Sequence, residues 1–246
     1  MAKTDGNVYT VIFATVMVIV VGGILAGLSQ GLKTYIKENE RFEKQQNILY
    51  AMGVHENGDD AGSVNFIPTD RVEEAYKSYI KSAFIIQGGK LTQDDEGAFK
   101  VDMKKQSKLP KSERKMPLFV GERDGKKFYV VPMYGKGLWD AIWGYVALDQ
   151  DLIVQGAFFD HKGETPGLGA NIKERYFMDD FTGEKIMNGG KYAGITVAKG
   201  NNDPKNETKD DNEVDALAGA TITGDGVSAM IKSTLKSYIP HIQKMK

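Results

Sequence analysis

Residues 118–160, LFVGERDGKKFYVVPMYGKGLWDAIWGYVALDQDLIVQGAFFD, carry the strand signals from which the fold class follows. Residues 118–122 and 127–133 are rich in β-branched and aromatic side chains. They flank Asp124-Gly125, a dipeptide suited to a two-residue hairpin turn whose central positions take positive φ. Residues 143–148 and 152–160 flank Asp149-Gln150-Asp151 and make a second hairpin. Between the two lies YGKGLWD, residues 134–140, a glycine-punctuated connection. Four strands joined by short turns imply an antiparallel sheet.

Helices are expected before and after this block. Asp70 stands three residues ahead of Glu73, the spacing of a capping box. Val72, Ala75, Tyr76, Tyr79, Ile80 and Ala83 then recur at three and four, which predicts a helix to about Phe84, closed by Gly88-Gly89. Residues 92–114 are charged and irregular and read as a surface excursion. Residues 176–181 fit a short helix, and residues 227–238 fit a last one with Val227, Met230, Ile231 and Leu235 on one face. Residues 55–63 and 201–215 read as polar loops. The expected class is α+β, an antiparallel sheet flanked by helices.

The amino terminus adds a different element. Residues 8–28, VYTVIFATVMVIVVGGILAGL, run 21 residues without a charge. As a helix they span about 30 Å, the thickness of a bilayer's hydrocarbon core. A cleaved signal peptide would have a basic n-region and an apolar core of roughly 7–15 residues; here Lys3 is offset by Asp5 and the run is longer. The expected organisation is therefore an anchor over residues 1–30, a helical stalk packing on the domain over 31–55, and a domain over 56–246. Leu32, Tyr35, Ile36, Phe42, Ile48 and Leu49 supply the stalk's apolar positions. Lys33, Lys37 and Arg41 follow the span and only Lys3 precedes it, so charge alone leans toward a cytoplasmic carboxy-terminal domain. The span has no ionisable side chain besides Tyr9, which argues against an ion path through this helix alone.

Composition narrows the chemistry. The 246 residues carry a net charge of −1 with no basic tract that points to nucleic acid. With no cysteine there is no disulfide, thiolate metal site or iron–sulfur ligation. His55, His161 and His241 are scattered, so no histidine metal site is expected. No nucleophile–base grouping stands out, and no catalytic residue is assigned.

Two glycine-bearing stretches remain. HKGETPGLGA, residues 161–170, follows a predicted strand; its glycines permit close backbone approach, Thr165 offers a hydroxyl and Leu168 an apolar contact. It reads equally as an ordinary strand-ending turn. DALAGATITG, residues 215–224, runs into the last helix. Thr223 fits an N-cap there. The same helix start offers free N–H groups and positive dipole character beside Thr221, the makings of a phosphate site. Trp139, in the glycine-rich connection, is better placed than Trp143 to cover an aromatic ligand.

Together, GETPGLG (163–169), DALAGATIT (215–223), and YGKGLWD with WGYVALD (within 134–149) resemble the FMN-binding domain of respiratory redox complexes. With one amino-terminal span ahead of them, the family most similar is the C subunits of sodium-translocating NADH:quinone oxidoreductases. The resemblance implies FMN, joined by a flavin transferase through its phosphate to Thr221. Gly219, Ala220 and Thr223 would lie around the linkage, Thr165, Leu168 and Gly169 near the flavin or its ribityl chain, and Leu138 and Trp139 on the other side. Ala218 stands where the family usually has Ser or Thr. The resemblance further implies an electron-relaying subunit, inactive in isolation, with other membrane subunits as partners. It also implies a single pass through the cytoplasmic (inner) membrane and a domain on the periplasmic side, against the lean of the charges. The equivalent flavin subunit of an Rnf-type ferredoxin:NAD oxidoreductase is the nearest alternative; a tethered binding domain without a cofactor is another.

Overall fold

The computed structural model describes residues 6–58, 64–200, 203 and 206–245; the remaining residues of the two expected polar loops lie outside these. The chain divides between Lys44 and Gln45 into two units. The described residues form six α-helices and ten strands: α1 Asn7–Ala51, α2 Val72–Tyr79, β1 Ile80–Gln87, β2 Lys90–Gln93, α3 Asp95–Lys100, α4 Met103–Ser107, β3 Met116–Arg123, β4 Lys126–Lys136, β5 Ala141–Leu148, β6 Val154–His161, α5 Arg175–Asp179, the two-residue strands β7 Met187–Asn188, β8 Lys191–Tyr192, β9 Thr196–Val197 and β10 Glu213–Val214, and α6 Thr221–Ile242.

The first unit is the greater part of α1. Among the described residues α1 is the one helix long and apolar enough to cross a membrane. Leu32, Tyr35 and Ile36, expected to pack as a stalk, are exposed. Burial begins at Gln45, and Ile48, Leu49, Tyr50, Ala51 and Met52 belong to the core of the second unit.

That core is built on a six-stranded sheet in the order β2-β1-β3-β4-β5-β6, antiparallel throughout. The β3–β4 turn has Asp124 at φ 54° and Gly125 at φ 73°, the two positive dihedrals that a turn matched to strand twist needs. In the β5–β6 connection the Asp149 carboxylate accepts from the N–H groups of Asp151 (2.8 Å) and Ile153 (3.0 Å). Met52 closes over the sheet at Gly121, where a Cβ would sit 2.4 Å from the Met52 methyl. Phe159, Phe177 and Phe181 pack with tilted and edge-on rings in a buried trio that joins β6 to α5. The long helix α6 lies against β4, with Met230 over Gly135.

Three expectations change. The helix predicted from Asp70 to Phe84 ends at Tyr79, and residues 80–87 form β1, pairing with β3 on one side and β2 on the other. Ile80, Ala83, Phe84, Ile85 and Ile86 are too densely apolar and β-branched to fix one helical face, and two strand partners decide the matter. Gly88 and Gly89, at φ 56° and 80°, turn the β1–β2 hairpin and end no helix. The excursion at 92–114 contains α3 and α4, started by the side chains of Asp94 on Gly97 N–H (2.8 Å) and of Asp102 on Lys105 N–H (3.1 Å).

Candidate functional site

Three segments meet at one end of the sheet: the β4–β5 connection around 137–140, the loop 163–169 after β6, and the first turn of α6. The last helix starts at Thr221, six residues ahead of the expected start, which brings residues 221–223 into it. Glycines allow the close approach. A Cβ on Gly226 would sit 2.4 Å from the Lys136 carbonyl oxygen, so α6 lies directly on the end of β4. A Cβ on Gly169 would sit 2.5 Å from Thr223 Oγ1 and 2.7 Å from Glu164 Oε2.

Glu164 holds the three segments together. Its side chain is 4 % exposed. Oε1 accepts from Trp139 N–H (2.9 Å) and Asp140 N–H (3.3 Å); Oε2 accepts from Leu138 N–H (3.3 Å) and from the Thr223 hydroxyl (2.6 Å). Burial alone would push this carboxyl up. The Thr223 hydroxyl and the three backbone N–H groups outweigh it and hold Glu164 below the usual glutamate range. Its own N–H donates to His161 Nδ1 at 3.1 Å. Next to it, Asp140 accepts from Lys162 Nζ at 2.8 Å, which pins the base of the connection.

The residues singled out by sequence fall around this carboxylate. Leu138 and Trp139 give it their backbone N–H groups while their side chains stay out, Trp139 being 67 % exposed. The Trp139 indole N–H donates to Thr165 Oγ1 at 3.1 Å, tying the two loops at the surface. The Thr165 carbonyl accepts from Leu168 and Ala170 N–H, both at 3.1 Å, and so shapes the turn that presents Leu168. Gly219 is at φ 68°, and a Cβ there would meet Leu168 Cδ2 at 2.8 Å, so Leu168 rests on the chain leading into α6. Ala220, buried, is the N-cap of α6. Thr221 follows it, exposed, as the first residue of the helix. Thr223 is not the N-cap. The helix has no side-chain cap, and the buried Thr223 hydroxyl donates to Glu164, a charged acceptor and so a stronger partner than a neutral one.

Glu164 is the residue that sequence reasoning passed over. Its signal in the sequence is that it is the one carboxylate in GETPGLG.

The arrangement suits a phosphate ester of an aromatic group. The first intrahelical bond of α6 is Gly224 N–H to the Ala220 carbonyl at 3.0 Å, so the helix supplies no acceptor for the N–H groups ahead of it. An anion at Thr221 is favoured there. Leu138, Trp139, Leu168 and Ile222 are exposed apolar side chains on the segments that meet at this end. The negative charge of Glu164 is already met by four donors. The residues present therefore fit FMN.

Comparison with known proteins bears on the same segments. The FMN-binding domain family matches residues 137–236. The chain is 30 % identical to the C subunit of a Na(+)-translocating NADH-quinone reductase from Neisseria meningitidis, over 96 % of this chain and 93 % of that one. It is 29 % identical to the protein of the same name in Pseudomonas aeruginosa, over 99 % of both. The crystal structure of the corresponding Na(+)-translocating NADH-quinone reductase protein from Parabacteroides distasonis, again the C subunit, superposes with a TM-score of 0.71 at 33 % identity. That match covers 86 % of this chain and 96 % of the other.

Proposed function

Because the chain belongs to the family of Na(+)-translocating NADH-quinone reductase C subunits, we propose that it is the membrane-anchored flavin subunit of such a complex, carrying FMN esterified through its phosphate to Thr221. When bound, FMN supplies the one- and two-electron chemistry; the protein supplies placement and electrostatics. In this reading the subunit relays electrons inside the complex and is inactive alone. A flavin transferase makes the linkage, and the neighbouring membrane subunits are its partners.

The observation that carries the reading is the contrast between two threonines on the same turn of α6. Thr221 is exposed on the free first turn, whereas Thr223 is 1 % exposed and its hydroxyl is committed to Glu164. A transferase reaching this helix start finds one available hydroxyl. The N–H groups of the first turn favour the phosphate, and the Trp139–Thr165 bond keeps the indole at the rim, where it can lie against an aromatic ring. Glu164 acts only through position, fixing the Leu138–Trp139–Asp140 turn and the start of α6 relative to each other.

Residues 1–30 are the single-pass anchor in the cytoplasmic membrane. The segment after it leads into the flavin-bearing domain, which includes the chain from Gln45 onward and stands on the periplasmic side. The quinone-reductase name of the relatives favours this complex over an Rnf-type one. Site-resolved mass spectrometry of the full chain co-expressed with a flavin transferase tests the linkage. One FMN on the peptide containing Thr221, absent in Thr221→Ala, is expected; an FMN mass retained in that variant would overturn the assignment.

A further inference from the structure

A second site lies away from the flavin segments. Residues 100–115 hold seven lysines and arginines against two carboxylates, in a chain whose net charge is −1. Among the described residues Lys104, Lys108, Lys111 and Lys115 have no carboxylate within ion-pairing distance. This basic segment borders a cleft of about 180 Å³ between α4, the start of β3 and the middle of α6. Ser233, on the α6 wall, is twelve residues beyond Thr221, about 18 Å along the helix. The cleft is therefore separate from the helix start.

Its lining has two characters. Lys111, Arg114 and Lys115 are its charged members, and among the described residues no carboxylate lines it. Arg114 is held in place: its Nε–H donates to the Leu109 carbonyl (2.8 Å) and Nη2 to the Ser107 carbonyl (2.9 Å), which leaves Nη1 without a partner among the described residues. Helix α6 contributes Ser233 and Thr234 to the lining, and Met103 and Met116 are among its apolar members. Three cations without a counter-charge favour a dianion over a monoanion, and a guanidinium fork fits phosphate oxygens. The volume is of the order of the engineered cavity of about 150 Å³ that holds benzene. That leaves room for one ring or a few methylenes beside the charged group.

We propose that this cleft binds a phosphate monoester joined to a small apolar group, the phosphate meeting Lys111, Arg114 and Lys115 and the apolar part lying on Met103 and Met116. The phosphate chemistry is shared by a free ester and by the headgroup of a phosphatidate lipid. The site does not depend on the flavin reading.

Calorimetric titration of the full chain in detergent with phenyl phosphate, inorganic phosphate and dihexanoyl phosphatidate tests it. Phenyl phosphate is expected to bind about tenfold more tightly than inorganic phosphate, since it adds an apolar contact. Lys111→Gln with Lys115→Gln should weaken it by about tenfold while leaving the melting temperature in place, because neither ammonium group is bonded among the described residues. Phosphatidate binding above phenyl phosphate assigns the site to a lipid headgroup, and the reverse assigns it to a soluble ester. Phenyl phosphate binding no tighter than inorganic phosphate, or binding undiminished in the double variant, would overturn the proposal.

Discussion

Replacing Glu164 by Gln keeps the shape of the side chain and removes one acceptor oxygen and the charge. The parent carboxylate takes four donors, two on each oxygen. A glutamine that keeps its oxygen toward Trp139 and Asp140 turns its NH₂ on Leu138 N–H, a donor facing a donor 3.3 Å away in the parent geometry. The Thr223 hydroxyl can reverse and accept; the Leu138 amide cannot. The flipped amide does worse, because it sets two backbone donors against its NH₂. Hydrogen bonds to a charged group contribute about 1.5–3 kcal/mol each, and a buried donor left without a partner adds its own desolvation cost. One lost bond and one orphaned N–H give about 2–4 kcal/mol. For a unit of about 200 residues that lowers the melting temperature by roughly 5–12 °C.

The pH dependence sharpens the test. Glu164 is held below the usual glutamate range, so its contribution is fully present above the unfolded value of 4.5 and is lost as pH falls through its lower folded value. The gap between parent and Glu164→Gln should be widest near neutral pH and shrink in acid. Thermal unfolding followed by circular dichroism at pH 7 and at steps below pH 4.5 reads both quantities. A variant that melts within about 1 °C of the parent at pH 7 refutes the view that Glu164 organises the site.

Three further outcomes are expected. Thr223→Val removes the hydroxyl that gives Glu164 its shortest bond, and should cost about 1–3 kcal/mol in chemical denaturation while leaving flavin attachment at Thr221. Gly169→Ala sets a methyl where Thr223 Oγ1 and Glu164 Oε2 already stand 2.5 and 2.7 Å away, and overpacking of this kind should cost about 1–3 kcal/mol, read from the same denaturation curves. Glu184 is fully buried, with Oε2 lacking a hydrogen-bond partner among the described residues, and burial pushes its carboxyl up to about 7. The folded chain then keeps a proton that the unfolded chain releases above 4.5, so stability should fall as pH rises from about 4.5 to about 7, by on the order of 2–3 kcal/mol. Glu184→Gln should flatten that part of the stability–pH curve, and an unchanged slope would count against it.

The hairpins of the sheet were legible because their signals are local. Asp124-Gly125 needs no distant partner to favour its turn, and the runs on either side have strand composition. Residues 80–87 were not, because the same apolar positions satisfy a helical spacing and a strand, and only the register with β3 selects between them. Asp94 and Asp102 did carry capping signals for α3 and α4, but helices of six and five residues have no periodicity to read. At the site, Leu138, Trp139, Thr165, Leu168, Gly169 and Thr221 could be found as members of three motifs. What joins them could not. Glu164 lies 59 residues from Thr223 in sequence and 2.6 Å from it in space, and its choice of partners also settles which threonine is left free.

On the proposed reading Thr221, and not Thr223, accepts the flavin phosphate. Intact-mass measurement of the full chain made with and without a flavin transferase tests it most directly, with the parent, Thr221→Ala and Thr223→Val compared side by side. The mass of one covalent FMN is expected on the parent and on Thr223→Val when the transferase is present, and none on Thr221→Ala. An unmodified parent, or an adduct that survives Thr221→Ala and disappears in Thr223→Val, would contradict it.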